Sequence, residues 1–119
     1  MGKRGSFPSA AQFARALSQI AVPGGRQTEF LRAHREAPSR TSTATLLAQA
    51  AGYANWRAIN LCYGTLAKKV RLSLCLGPTG EKAELELIVE IHRTEATNAH
   101  WKLTMRPEFA EALKLAGWV

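Results

Sequence analysis

The chain has 119 residues, 46% of them hydrophobic, which suits one domain with its own core and excludes a disordered chain. Its two cysteines, Cys62 and Cys75, form no CxxC pair, which argues for reduced thiols and against a disulfide framework or zinc site, and no apolar run approaches the ~18 residues of a membrane span. The net charge of +7 is uneven: residues 1–71 hold eleven Lys or Arg and two Glu (+9), residues 72–119 hold five and seven (−2), and there is no Asp. A basic half joined to a slightly acidic half is the footprint of a protein with one polyanion-facing side.

Residues 1–8 carry Lys3 and Arg4 and read as a mobile basic arm. Ser9 or Ser6 can cap a helix running to about Ile20, with Phe13, Leu17 and Ile20 as its buried stripe. The run Val22-Pro23-Gly24-Gly25 breaks it. Gln27–Ala37 reads as a second helix, with Phe30 and Leu31 inward and Arg32 and Arg35 outward. His34 has no second His or Cys at ligand spacing, so it reads as a packed or surface histidine rather than a metal ligand. Pro38 ends the helix, because the residue before a proline is pushed out of the α region.

Residues 43–67 have the grammar of a helix-turn-helix. Thr41, Ser42 and Thr43 each offer a capping oxygen; Leu46, Leu47, Ala50 and Ala51 follow at helical spacing. Gly52 can take φ > 0 and turn the chain. A second helix is expected from about Asn55, with Trp56, Ile59 and Tyr63 along one face and Ala58 and Leu61 packing back on the first helix. Asn55, Arg57 and Asn60 then lie at or near its solvent face, where Asn pairs with adenine and Arg with guanine in a major groove; Trp56 stands beside them. Arg26, Arg35, Arg40, Lys68 and Lys69 are the candidate phosphate contacts.

Residues 65–76 fit two patterns. Val70, Leu72, Leu74 and Leu76 alternate as in a strand; Leu66, Val70 and Leu74 also recur at helical spacing. Glu84–Arg93 alternates clearly as a strand, with Leu85, Leu87, Val89 and Ile91 on one face. After a polar turn, His100–Met105 alternates again and should pair with it antiparallel. This hairpin stands where a wing would be, with Lys102 and Arg93 as its phosphate-reaching groups and Glu84, Glu86 and Glu90 opposing them. Pro107 and Glu108 open a closing helix that packs Phe109, Leu113 and Leu115 inward; Gly117 ends it and Trp118 folds back.

Catalytic chemistry finds little purchase. Without Asp there is no Asp-containing triad or Asp-based metal cluster, and no P-loop or GxGxxG occurs. No metal or cofactor is expected.

Two stretches resemble a known module. Residues 37–69, A-P-S-R-T-S-T-A-T-L-L-A-Q-A-A-G-Y-A-N-W-R-A-I-N-L-C-Y-G-T-L-A-K-K, and residues 101–119, W-K-L-T-M-R-P-E-F-A-E-A-L-K-L-A-G-W-V, are similar to a module found beside or fused to bacterial HNH endonucleases, and cover about half of the chain. The positions that carry the resemblance are Gly52, Tyr53, Trp56, Asn60, Tyr63, Gly64, Pro107 and Trp118. It implies a DNA-recognition role linked to restriction or defence, with Asn60 as the functional residue, and favours helix for residues 65–76. The chain has no HNH motif, and Asn98-Ala99-His100 is not one, so cleavage is not implied.

The expectation is a single α+β domain over residues 1–119. Residues 9–76 are helical with the helix-turn-helix; residues 84–119 form an antiparallel hairpin and a closing helix, a winged-helix-like order. Its function would be non-catalytic binding of duplex DNA in the cytoplasm. The alternatives are a protein-binding regulator, such as an inhibitor of a defence nuclease or an antitoxin-like partner, and a small transcriptional repressor.

Overall fold

The computed structural model describes residues 8–20, 24–74, 86–93 and 101–118. The N-terminal arm (1–7) and the tip of the expected wing (94–100) lie outside these, as do Cys75, Glu84 and Leu85. Helix α1 spans Ala10–Ser18. It opens with a capping box: Ser9 Oγ accepts from Gln12 N at 3.2 Å and Gln12 Oε1 accepts from Ser9 N at 2.8 Å. It buries Phe13, Ala16 and Leu17. Helix α2, Gly25–Glu36, starts two residues earlier than expected and buries Phe30, Leu31 and His34. Ala37 leaves the helix at φ −65°, ψ 152°, as a residue before proline must.

A 3-10 turn over Pro38–Arg40 follows, with Ser39 and Arg40 both left-handed at φ 53° and 54°. It delivers the chain into strand β1, Thr41–Thr43. Helix α3, Ala44–Ala51, is capped by Thr43, whose Oγ1 accepts from Leu46 N at 3.2 Å. Gly52 ends it at φ 77°. Tyr53 N donates to Ala48 O at 2.8 Å and Gly52 N to Gln49 O at 3.3 Å, so two otherwise orphaned carbonyls are satisfied as the chain turns.

Helix α4, Arg57–Ser73, makes residues 65–73 of the ambiguous stretch helical, with Leu74 as its C-cap; residues 75 and 76 lie outside the described ones. Its buried stripe is Ile59, Tyr63, Leu66, Ala67 and Val70, and Leu72, which a strand would have turned inward, is 57% exposed. Gly64 costs the helix about 1 kcal/mol relative to alanine but does not end it, because each added residue extends an existing helix without a new nucleation cost. Leu61 is 72% exposed, not packed on α3, because it stands about 200° round the helix from buried Ile59. The α3 side of that junction is filled by Ala44, Leu47, Ala48 and Ala51, leaving Leu46 and Ala50 outside.

Strand β2, Val89–His92, and strand β3, Lys102–Met105, form the expected antiparallel hairpin, though β2 is shorter than the alternation suggested. The third strand is β1, so the sheet runs β1-β3-β2 with β3 central. Thr41 pairs with Thr104 in register, and their hydroxyls lie 2.8 Å apart. Helix α5, Pro107–Leu115, closes the chain. Gly117 repeats the left-handed ending at φ 77°, and Trp118 N donates to Leu113 O at 2.9 Å as the indole folds into the core. Leu115 is exposed rather than inward.

One continuous core joins these pieces. Phe13 of α1 meets Phe109 of α5 edge-on at 5.4 Å, and Phe30 of α2 meets Tyr63 of α4 edge-on at 5.0 Å. The described residues form an α+β domain of five α-helices and a three-stranded antiparallel sheet.

Candidate nucleic-acid interface

Residues 37–80 contain no acidic residue, and α4 alone carries Arg57, Lys68, Lys69 and Arg71. Its core stripe fixes which of its residues face outward: Arg57, Leu61, Thr65, Lys68, Lys69 and Leu72 are all exposed. Exposed cations on a helix without a carboxylate make a face of one sign.

The start of α4 is built by the residues expected to read bases. Asn55 is exposed, and its Oδ1 accepts from Arg57 N at 2.8 Å. That bond satisfies the first backbone N–H of α4 and holds the Asn55 side chain against the helix start rather than outward. Trp56 is half-buried against the core, with the Arg57 guanidinium stacked over its ring at 5.1 Å. The stack holds an exposed cation over a fixed platform. Asn60 is half-buried on the flank of α4, off the outward face.

The expected phosphate contacts divide in two. Arg26, Lys68, Lys69 and Lys102 are exposed; Arg26 lies 5.8 Å over the Tyr53 ring, and Lys102 sits on β3 opposite Thr43 and His92. Arg35, expected outward, is half-buried and its Nε donates to Ala110 O at 3.1 Å, tying α2 to α5. Arg40 donates from Nε to Met105 O at 3.1 Å, tying the 3-10 turn to β3. These two serve as internal struts. On the hairpin, Glu86 pairs with Arg93 at 3.6 Å and Glu90 with Arg106 at 3.7 Å, so these two of the three repelling carboxylates expected there have a cation beside them; Glu84 lies outside the described residues. Arg93 also stacks over Trp101 at 5.4 Å.

His34, which the sequence leaves as packed or surface, is packed, and it makes a bridge that the sequence does not show. It is fully buried, with Nδ1 2.6 Å from Tyr63 Oη and Nε2 2.7 Å from Leu103 O. A carbonyl only accepts, so Nε2 carries the hydrogen and Nδ1 accepts from the tyrosine. Burial lowers the His34 pKa from 6.5 to about 4 and pushes Tyr63 well above its usual 10. One neutral ring thus links α2, α4 and β3. Its position after Phe30 and Leu31, one turn further along the same stripe, was the available signal for burial.

Among the described residues no three His, Cys, Asp or Glu side chains converge to hold a metal. A groove of about 430 Å³ between α1 and the end of α4 is lined by Gln12, Arg15, Ala16, Gln19, Ser73 and Leu74. That lining includes no carboxylate, histidine or cysteine. No described helix is long and apolar enough to cross a membrane. No family model, curated protein or solved structure matches this chain, so its resemblance to an HNH-associated module rests on the two sequence stretches alone.

Proposed function

We propose that the chain is a non-catalytic duplex-DNA-binding domain that lays α4 in a major groove. The observation that carries this reading is the outward face of α4: cationic, free of carboxylates, and opened by an arginine held over Trp56. Two features support it. The first is the order α3, left-handed glycine turn, α4, which suits a helix-turn-helix. The second is the wider order α2-β1-α3-α4-β2-β3 with sheet order β1-β3-β2, which suits a winged helix whose wing carries Lys102. Arg57 and the flanking Asn60 would read bases; Arg26, Lys68, Lys69 and Lys102 would grip phosphates. The likeness to the HNH-associated module supports a recognition role in bacterial restriction or defence, exercised in the cytoplasm where duplex DNA is.

The test is a fluorescence-anisotropy titration with a random-sequence duplex pool at low salt and at ~150 mM, where screening leaves only ~8 Å of range. Arg57→Ala should weaken binding and relax sequence preference; unchanged affinity and preference would sink the reading. The second reading, a protein-binding regulator, is favoured by the exposed Leu46, Leu61 and Leu72. A complex built on those leucines would hold as salt rises, whereas phosphate binding weakens steeply.

A further inference from the structure

The outward face of α4 is not uniformly polar. Leu61 lies at its centre, about half a turn from the middle of the buried stripe, and is 72% exposed. Arg57 precedes it by one turn; Thr65 and Lys68 follow within two. Gly64 lies beside it, in the interior of the helix with no positive φ. A Cβ added at Gly64 would meet nothing within 4 Å. Glycine destabilises a helix interior relative to alanine, and here neither a turn nor an internal contact requires it. A missing side chain next to an outward leucine suits a face that another surface must approach closely.

We propose that Leu61 and Gly64 form a notch that reads the C5-methyl group of a pyrimidine in the major groove; this rests on the reading of α4 as the groove-binding helix. Leu61 supplies the apolar contact, and Gly64 lets the helix backbone approach the base edges. The thymine methyl projects into that groove, where apolar side chains recognise it, and 5-methylcytosine presents the same chemistry. Charge favours this occupant over an apolar protein surface. Any partner reaching Leu61 also meets Arg57, Lys68 and Lys69, with no carboxylate on α4 to offset them.

The test uses the full chain and the sequence it enriches from a random duplex pool at ~150 mM salt. Each thymine is replaced in turn by deoxyuridine, which removes only the methyl, and each cytosine by 5-methylcytosine. One position should change affinity by about fourfold, the worth of roughly one buried methyl-sized group. A loss with deoxyuridine assigns thymine; a gain on methylation assigns 5-methylcytosine. Leu61→Ala should abolish that difference and leave the melting temperature unchanged. Gly64→Ala should raise the melting temperature and weaken binding to every duplex. Equal affinity at all positions, discrimination that survives in Leu61→Ala, or binding that enriches no sequence would overturn the notch while leaving DNA binding intact. No binding at that salt overturns both.

Discussion

Nδ1 of His34 accepts from Tyr63 while Nε2 donates to Leu103, so a second ring proton would break the present Tyr63 bond and leave a charge buried away from water. In the unfolded chain the ring titrates near 6.5; in the folded chain it resists to about 4. The folded state therefore binds fewer protons in that window. The stability His34 contributes is complete above pH 6.5 and is lost progressively as pH falls towards 4, by about 3 kcal/mol in all. Urea melts at pH 7 and pH 4.5 should show this decline, and His34→Gln should flatten it while lowering stability at pH 7. The sequence showed that His34 had no ligand partners. It could not show the link to Leu103, which is 69 positions away. The same distance problem hid Arg35 and Arg40. Their acceptors, Ala110 and Met105, lie 75 and 65 positions on, and a long cation with no nearby acid reads as surface until the fold supplies a carbonyl.

At the level of elements, the two glycines of the helical pair should respond oppositely to the same substitution. Gly52→Ala forces a side chain into φ 77° and should cost about 1–2 kcal/mol. Gly64→Ala places a methyl in open space within a helix and should add about 0.5–1 kcal/mol. Thermal melts of the two variants should move in opposite directions. The helices were largely legible because their ends carry local chemistry: Ser9 with Gln12, Thr43, Gly52, Pro107. Strand β1 was not. Thr-Ser-Thr shows no apolar alternation, and its strand character comes from pairing with β3, sixty residues later. The C-terminal part of α4 was undecided for another reason: its leucines fit two periods, and only the burial of Leu66, Ala67 and Val70 against the core distinguishes them.

For the whole molecule, the proposed DNA binding makes salt the main control, because the charge is uneven. If Lys68 contacts a phosphate, Lys68→Ala should reduce the slope of log K against log salt by about 1 and leave the melting temperature unchanged. Arg40→Ala should do the reverse. It removes a strut to Met105, so it should lower stability by about 1 kcal/mol and leave the slope alone. Running both variants separates the cations that hold the fold from those that face a partner, a division that composition cannot make. The α+β architecture itself was legible, since a run of helical segments is followed by two alternating segments and one closing helix instead of a regular strand–helix alternation.

The Tyr63 hydroxyl anchors the back of α4 through His34 to the central strand. A helix held only by greasy side chains can roll about its long axis by slipping one residue's worth of packing, about 100°. Here such a roll would break the Tyr63–His34 bond and strand a buried ring nitrogen, so the helix is locked in phase. Which side chains face outward is thereby decided from behind, by a fully buried imidazole. On the proposed reading, variation along the outer rim of α4 would change what is recognised without retuning how the helix is mounted.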